Sequence, residues 1–238
     1  MKPTLFITGS TGIAAATARL WPGRIFVFGE DEATCCELST EYAVGDVRDE
    51  AAVAAAVERC GEIHALFNVA GISARRFGDG PLHLCTGEGW DSAMDVNAKG
   101  TFLVCREVLR IWVTEGRRGT ILNTGSVLAR RPEAGAFGTI AYAASKGAVE
   151  AMSLAAAAQY ASMGIRINVL APGLVRTPMS ARAQNDPLIL EYVARRQPLS
   201  QGMLEAEQVA RMAVFLLGEE SGPITGQVIT LDGGWSVT

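Results

Sequence analysis

The sequence lacks the features that would indicate a membrane, nucleic-acid or secreted protein. No apolar run approaches the roughly 20 residues that a membrane-spanning helix needs. The opening stretch MKPTLFITGS passes from a brief apolar run into a glycine turn, which predicts a strand rather than a signal peptide. Lys plus Arg number 21 against 25 Asp plus Glu, and the arginine pairs are scattered, so no basic stripe suggests nucleic acid. We expect neither a membrane nor a nucleic-acid partner.

The cysteines do not form a disulfide or metal-binding pattern. There are 5 of them, an odd number, and they lack CxxC or His/Cys ligand spacing. Adjacent Cys35 and Cys36 are interpreted as reduced, partly buried thiols rather than a bridge. The sequence therefore predicts no metal site and a location in the reducing cytoplasm.

What the chain does contain is a regular alternation of strands and helices. Its 238 residues, 49% of them hydrophobic, suffice for one large core. The strands are apolar runs without in-out alternation, which is typical of a parallel sheet buried on both faces. We predict one α/β domain over 1–238, a Rossmann-like doubly wound parallel sheet of about seven strands with helices on both faces. Predicted strands cover 4–8, 24–28, 41–47, 63–71, 119–126, 165–173 and 226–234, and predicted helices 13–21, 49–60, two within 86–116, 141–162 and 205–217.

Three stretches show little regular pattern, namely 72–90, 129–140 and 174–204. Each follows a predicted strand. In doubly wound sheets the loops beyond the carboxyl ends of the strands form the ligand crevice. We therefore expect these three stretches to border a binding site.

The turn TGSTGIAA at 8–15 lies between the first strand and the first helix. Gly9 permits a tight turn, and Gly12 lets backbone N–H groups approach a pyrophosphate. The partial positive charge of the helix N-terminus adds to this, and Ala15 provides a third small residue for close packing. The position of the turn predicts a dinucleotide site.

The second strand ends in FGED, which bears on the choice of dinucleotide. A carboxylate here can accept hydrogen bonds from both ribose hydroxyls and would repel a 2′-phosphate. Glu30 is the first candidate and Asp31 the second. No Arg or Lys lies in the glycine turn or just after the strand, so NAD is favoured and NADP is less expected. The alternative is that both acids form a solvated loop pair.

The segment YAASK at 142–146 places a phenol and an ammonium group one helical turn apart. Side chains four residues apart on a helix share a face. A nearby cation lowers the pKa of a tyrosine, so Tyr142 and Lys146 together could deliver or remove a proton. Alternatively, Lys146 only extends its aliphatic stem beside a buried ring.

Seven short motifs occur in a fixed order along the chain. They are GDV (45–47), NVAG (68–71), VNAKG (96–100), NTGS (123–126), YAASK (142–146), NVLAPGLVRTPM (168–179) and ITGQVITLDGG (224–234). Together they resemble the motifs of the short-chain dehydrogenase/reductase family. The resemblance covers essentially the whole chain and is to the compact oxidoreductase branch.

The resemblance implies a catalytic set of four residues. Tyr142 would be the general acid/base, and Lys146 would lower its pKa and bind the nicotinamide ribose. Ser126 would donate a hydrogen bond to the substrate oxygen. Asn97 would hold a water that connects Lys146 to solvent. Taken alone, Ser126 could be an exposed strand-end serine and Asn97 a helix-interior or kink residue.

The resemblance also implies a cofactor site. Asp46 would accept from the adenine amino group beside Val47, and residues 68–71 would pass the adenosine ribose, although Asn68 could instead only pin neighbouring strands. Pro172 and Gly173 would shape the nicotinamide site, and Val175 and Thr177 would hold the carboxamide. The full set is Gly9, Ser10, Thr11, Gly12, Ile13, Glu30, Asp31, Asp46, Val47, Asn68, Val69, Ala70, Gly71, Tyr142, Lys146, Pro172, Gly173, Val175 and Thr177.

Two departures from the family pattern stand out. Only Ser10 and Thr11 separate the first two glycines, one residue fewer than usual, which we interpret as a deletion that alters phosphate contacts but not the fold. More residues than usual also separate Ser126 from Tyr142. The longer loop should overhang the substrate site, with Phe137 and Ile140 as wall candidates, or else form a surface bulge.

The substrate itself is less constrained. Arg75 and Arg76 could grip an anionic group, or could be solvated or paired with acids such as Asp79. Residues 177–204 are predicted to form a mobile lid. Its apolar side chains would line a pocket or form the buried stripe of a lid helix; they are Met179, Leu188, Ile189, Leu190 and Tyr192.

The resulting hypothesis is a NAD(H)-dependent alcohol dehydrogenase or carbonyl reductase acting on a small secondary alcohol or ketone. One alternative is a catalytically silent dinucleotide-binding or sensing protein of the same fold, and another is a methyltransferase with a similar glycine turn. Family resemblance further implies a homotetramer or homodimer formed through helices around 99–116 and 141–160 and the last strand.

Overall fold

The fold is a parallel sheet covered by helices, seen in a computed structural model that describes residues 2–238. The strands are β1 Thr4–Thr8, β2 Arg24–Gly29, β3 Tyr42–Val44, β4 Ala65–Asn68, β5 Gly119–Thr124, β6 Ile165–Pro172, β7 Val175–Arg176, β8 Leu204–Glu205 and β9 Val228–Leu231. The helices are α1 Gly12–Leu20, α2 Glu32–Leu38, α3 Glu50–Cys60, α4 Gly87–Ala93, α5 Thr101–Glu115, α6 Ile140–Tyr160, α7 Ala181–Gln184, α8 Pro187–Arg196 and α9 Ala206–Leu217.

The main sheet contains seven strands in the order β3-β2-β1-β4-β5-β6-β9, and every neighbouring pair is parallel. The chain runs outward in one direction from β1 to β3 and then returns to the other side of β1 with β4. The strand order therefore reverses between β1 and β4, and such a reversal opens a crevice at the carboxyl ends. The predicted Rossmann-like fold is confirmed.

Alternate residues of each strand point to opposite faces of the sheet, so one strand supplies two cores. Phe6 belongs to a cluster formed with α3, α5 and α6, whereas its neighbours Leu5 and Ile7 belong to a cluster formed with α1 and α9. All three side chains are fully buried. Burial on both faces explains why the strands read as unbroken apolar runs.

The predicted boundaries hold for the long elements. They fail where tertiary contacts determine which residues form a helix or strand. The segment around α2 carried no predicted helix, and 174–204, expected to be irregular, contains α7, α8 and the two-stranded sheet of β7 and β8. Between α4 and α5 the backbone forms a π-helix over Met94–Gly100. Among the described residues, none of the helices is both long and apolar enough to traverse a lipid bilayer.

Candidate functional site

The start of α6 is held by an acid from a different loop. Thr139 precedes the helix but its side chain makes no capping hydrogen bond. Instead the buried carboxylate of Asp79 accepts from the N–H of Ala141 at Oδ1 and from the N–H of Tyr142 at Oδ2, both at 2.9 Å. These contacts fix the first turn, from which Tyr142 projects. Sequence reasoning missed Asp79 because its partners lie 62 and 63 residues away.

Tyr142 and Ser126 come together despite the long loop between them. Ser126 is buried just after β5, and its Oγ accepts a hydrogen bond from the N–H of Leu128 at 3.2 Å. Burial raises the pKa of the Tyr142 phenol, and hydrogen bonding by the Ser126 hydroxyl opposes that rise in part. The extra residues therefore do not separate this pair.

Lys146 lies one turn along α6 and is almost fully buried. Its Nζ donates to the carbonyl oxygen of Thr124, at the end of β5, at 2.8 Å and lies 5.9 Å from the centre of the Tyr142 ring. Burial lowers the pKa of Lys146 from 10.5 to about 8. The predicted lowering of the Tyr142 pKa by this ammonium group is not found in the chain alone, where burial of the phenol dominates.

Asn97 lies in the π-helical segment and is fully buried. Its amide accepts from the N–H of Ile72 at 2.8 Å and donates to the Ile72 carbonyl at 3.0 Å and the Ser145 hydroxyl at 2.9 Å. Both amide hydrogens are thus used, and one lone pair of Oδ1 remains. A Cβ placed on Gly71 would lie 3.0 Å from Asn97 Oδ1 and 3.5 Å from Lys146 Nζ, so both polar groups border the same small space.

The glycine turn forms even though it is one residue short. Gly9 and Gly12 have φ of +85° and +53°, which L-residues with a Cβ rarely adopt. The Thr11 side chain does not cap α1, and the N–H of Ala14 donates to the Thr11 carbonyl at 3.1 Å, so the N–H groups of Gly12 and Ile13 are the ones available to an anion. A Cβ on Gly12 would lie 2.9 Å from Cγ2 of Thr177, so the segment after β6 packs directly on this turn.

The two candidate ribose ligands differ in how they are engaged. The Asp31 carboxylate caps α2 by accepting from the N–H of Thr34 at 2.8 Å, and this hydrogen bond lowers its pKa. Thr34 also bonds the hydroxyl of Ser10, another predicted cofactor residue, at 2.7 Å. Glu30 is exposed directly after β2. Asp31, the second candidate, is therefore engaged as the N-cap of α2, which leaves Glu30 as the more accessible candidate for the ribose.

Asp46 is bound by an arginine that the sequence analysis did not consider. Its two oxygens accept from the backbone N–H and from the Nε of Arg48, both at 2.8 Å, and the Arg48 side chain lowers the Asp46 pKa. Arg48 also interacts electrostatically with the negative charges of Glu30 and Asp95. The neighbouring Val47 is buried and packs on Gly100.

Asn68 has a structural role in the middle of the sheet. It is buried and donates to Asn123 Oδ1 at 2.8 Å, and Asn123 in turn donates to the Ser153 hydroxyl at 2.9 Å. Its side chain therefore ties β4 to β5 and α6, as the alternative interpretation held. The following N–H groups of Val69 and Ala70 donate to Thr8 Oγ1 at 3.0 and 3.2 Å, which fixes this strand end beside the glycine turn.

The segment after β6 is held by a buried glutamine. Gln197 Oε1 accepts from the N–H of Leu174 at 2.6 Å and would lie 2.3 Å from a Cβ on Gly173. Gly173 follows Pro172 at the end of β6, and Val175 is buried where β7 pairs with β8. The predicted nicotinamide-side residues are thus brought to the same crevice as Ser126 and Tyr142, with Thr177 reaching the glycine turn.

The loop 129–140 packs against the segment 177–204. Phe137 is buried, with its ring centre 5.8 Å from Tyr192 and 5.1 Å from Trp235. Phe137 therefore packs in an aromatic cluster, while Ile140 is 36% exposed. In the predicted lid, Ile189, Leu190 and Tyr192 join the same cluster, but Met179 and Leu188 face solvent.

Comparisons with known proteins agree with this geometry. A protein-family profile described as "Enoyl-(Acyl carrier protein) reductase" matches residues 29–236. The 2-(R)-hydroxypropyl-CoM dehydrogenase of Xanthobacter autotrophicus is 38% identical over 197 residues, 80% of this chain and 76% of that protein. Gluconate 5-dehydrogenase of Gluconobacter oxydans is 35% identical over 205 residues, 84% of this chain and 77% of that protein. Levodione reductase, a crystal structure, is 31% identical with a TM-score of 0.86, over 99% of this chain and 98% of that one.

Two of these relatives are named dehydrogenases and the third a reductase. This chain is likewise an NAD(P)-dependent oxidoreductase that acts on alcohols or ketones. The methyltransferase hypothesis is wrong, and the catalytically silent alternative is not favoured. On the family profile and these relatives, the chain belongs to the short-chain dehydrogenase/reductase family.

Proposed function

We propose that the protein is an NAD-preferring secondary-alcohol dehydrogenase or ketone reductase in which Tyr142 is the general acid/base. The observation that carries this proposal is the meeting of Ser126, Tyr142 and Lys146 at the carboxyl ends of β5 and β6. Ser126 reaches the phenol, and Lys146 lies one helical turn beyond it. A binding protein would not need this set of proton-carrying groups.

The residues around the crevice fit a dinucleotide. The positive φ of Gly9 and Gly12 and the open N-terminus of α1 suit a pyrophosphate, and the exposed Glu30 suits a ribose with two free hydroxyls. When bound, the nicotinamide supplies or accepts the hydride. Preference for NAD rests on Glu30 and on the acids that surround Arg48.

The chain's own residues move the proton. In reduction the Tyr142 hydroxyl gives its proton to the substrate oxygen as that oxygen becomes an alkoxide, and in oxidation it takes the proton back. Ser126 donates a hydrogen bond to the same oxygen where negative charge develops. Lys146, with its pKa lowered to about 8, can return a proton towards Tyr142. Asn97, which borders the space at Gly71, would connect Lys146 to solvent.

Replacing Tyr142 with Phe tests this mechanism. We expect Tyr142→Phe to lose turnover of secondary alcohols and ketones while NADH still binds, as followed by cofactor fluorescence. Tyr160→Phe is the matched control, because Tyr160 lies at the far end of the same helix. Retained turnover in Tyr142→Phe would remove Tyr142 from the proposal.

We further propose that the protein assembles as a homodimer or homotetramer. A groove of about 420 Å³ lies between α5 and α6, lined by apolar side chains that include Phe102, Val113 and Tyr160. Phe102 and Val113 are 43% and 44% exposed, which is high for such large apolar residues. Covering this groove with a second copy would bury them, and the edge strand β9 offers a second contact.

The cytoplasm is the proposed location. Support comes from the cysteines, which are free thiols: Cys35, Cys60 and Cys105 are buried, Cys36 is exposed and Cys85 is intermediate. Free thiols persist in reducing compartments. Fractionation of cells that express the tagged protein would test this assignment.

A further inference from the structure

Two arginines from different loops converge on one backbone carbonyl. Arg75 lies in the short turn after β4 and donates to the Ala136 oxygen at 2.6 Å. Arg182 lies in α7, after β6, and donates to the same oxygen at 2.8 Å. The two guanidinium nitrogens are thus no farther apart than the sum of these distances. The two positive charges repel each other, and this repulsion is reduced by solvent at the exposed Arg182 and by any anion bound between them.

No carboxylate within residues 2–238 forms an ion pair with either arginine, although other arginines of the chain are paired. Asp79 is the acid that acts on Arg75 electrostatically, but both of its oxygens accept backbone N–H groups of α6. Burial and the positive charge of Arg182 lower the Arg75 pKa, while Asp79 opposes this. One carboxylate thus faces two guanidinium groups, so the pair keeps a net positive charge.

The pair lies at the carboxyl edge of the sheet. Arg75, Ala136 and Arg182 come from the loops that follow β4, β5 and β6, three neighbouring strands of the sheet. The glycine turn, by contrast, follows β1. Asp79 links the pair to the catalytic helix, since it acts on Arg75 and binds the N–H of Tyr142.

The partner of Arg75 is not the one that the sequence suggested. Arg76 is exposed, and its guanidinium lies over the Phe77 ring, 4.6 Å from the ring centre. The adjacent arginines thus point to different environments. Arg75 is joined instead by Arg182, which is 107 residues later in the chain.

We propose that Arg75 and Arg182 bind an anionic group of the substrate, a carboxylate, sulfonate or phosphate, while its alcohol or ketone carbon faces Tyr142. This inference rests on the proposed function. A guanidinium has five N–H donors, so each arginine keeps donors free beyond its bond to Ala136. Planar, forked donors match the oxygens of such anions, and two of them would hold the substrate at one end.

Paired substrates test the proposal. Short hydroxy or keto acids are compared with their neutral methyl esters, and hydroxyalkyl sulfonates and phosphates are added to identify the anion. For Arg75→Met and Arg182→Met we expect KM for the anionic substrates to rise about 10- to 100-fold, as for loss of a charged hydrogen bond. KM for the esters and kcat for both should change little. Arg76→Met is the matched control and should behave as the wild type.

An equal loss on acids and esters would mean that the arginines only tie the loops together, and would overturn the proposal. The proposal would also be overturned if the wild-type protein had a lower KM for the methyl esters than for the acids. A second readout does not depend on turnover. With NADH present to fill the dinucleotide site, replacing chloride with sulfate at equal ionic strength should raise the Tm of the wild type more than the Tm of the Arg75→Met/Arg182→Met double variant, because the general stabilisation by sulfate is common to both. If sulfate stabilises as expected but no alcohol or ketone is converted, the anion site stands and the proposed function fails. If alcohols or ketones are converted but neither sulfate nor the negative charge of the substrate has an effect, the proposed function stands and the anion site fails.

Discussion

The carboxylate of Asp79 holds the backbone N–H of Tyr142 at 2.9 Å, so the residue proposed to carry the proton is positioned by a side chain from the loop after β4. Loss of a helix cap costs about 1–2 kcal/mol of stability. We expect Asp79→Ala to lower the free energy of unfolding by about that amount and also to lower kcat, because the first turn of α6 loses its anchor.

Asp49→Ala is the control for this prediction. Asp49 caps α3 in the same way, by accepting from the N–H groups of Ala51 and Ala52, but makes no contact with α6. It should lose similar stability in urea titrations and keep its kcat. If kcat falls equally in both variants, Asp79 has no positioning role.

Glu30 and Asp31 should separate cofactor preference from stability. Glu30→Gln removes the charge that we propose faces the ribose. The kcat/KM for NAD should therefore fall, and the ratio of kcat/KM for NAD to that for NADP should drop about tenfold, as expected for a hydrogen bond of about 1.4 kcal/mol. Asp31→Asn should weaken the α2 cap and lower Tm with the ratio unchanged. If the ratio of NAD to NADP shifted only in Asp31→Asn, Asp31 and not Glu30 would be the residue that faces the ribose. Steady-state kinetics with both cofactors give the answer.

Burial of Lys146 should make stability depend on pH. Its pKa is about 8 in the folded chain and 10.5 when exposed. The folded state therefore releases the proton first, and the penalty for burying the charge is full below pH 8 and fades as pH rises to 10.5. Lys146→Met lacks this penalty, so its excess stability over the wild type should be largest below pH 8 and shrink through that window. Urea unfolding at several pH values measures the difference. A difference that stays constant would mean that Lys146 is not desolvated.

Gly12 and Gly147 should respond oppositely to alanine. At Gly12 the added Cβ would meet Thr177 at 2.9 Å on a backbone with φ of +53°, so Gly12→Ala should destabilise the chain by more than about 1 kcal/mol and weaken NADH binding. At Gly147, inside α6, a Cβ meets nothing within 4 Å, and Gly147→Ala should stabilise by roughly 0.5–1 kcal/mol. Tm and cofactor fluorescence report both effects. If Gly12→Ala binds NADH as tightly as the wild type, the glycine turn has no role in cofactor binding.

Assembly should depend on the groove between α5 and α6. Phe102→Glu places a charge there and should shift sedimentation from the oligomer towards the monomer. Phe215→Glu is the control, since Phe215 is similarly exposed at 40% but lies on α9. A monomeric wild type would exclude the proposed assembly outright.

The parts of the fold that the sequence predicted are those encoded locally. Apolar runs such as 4–8 and 24–28 were correctly predicted as β1 and β2, because a strand buried on both faces is apolar throughout and this pattern is visible in the local sequence alone. The helix that carries Tyr142 and Lys146 was likewise evident from its composition. The positions of Ser126 and Asn97 followed from the family resemblance and not from their surroundings.

The parts that could not be predicted depend on contacts between distant segments. Nothing near Asp79 indicates that it caps α6, and nothing near Arg75 indicates Arg182 as its neighbour. Arg48 was overlooked because its role depends on where β3 ends relative to β2. Phe137 was assigned to a pocket wall because loop length gives no information about which aromatic rings it will meet.

The paired amides of Asn68 and Asn123 have a consequence for how the sheet aligns. These residues stand opposite each other in the register of β4 and β5, and their side chains bond across the interstrand gap. Sliding β4 by a single position would turn the Asn68 amide to the other face of the sheet and break its bond to Asn123. The bond thus fixes the alignment of β4 with β5 at their carboxyl ends, and so the level at which the segments leading to Gly71 and Ser126 leave the sheet.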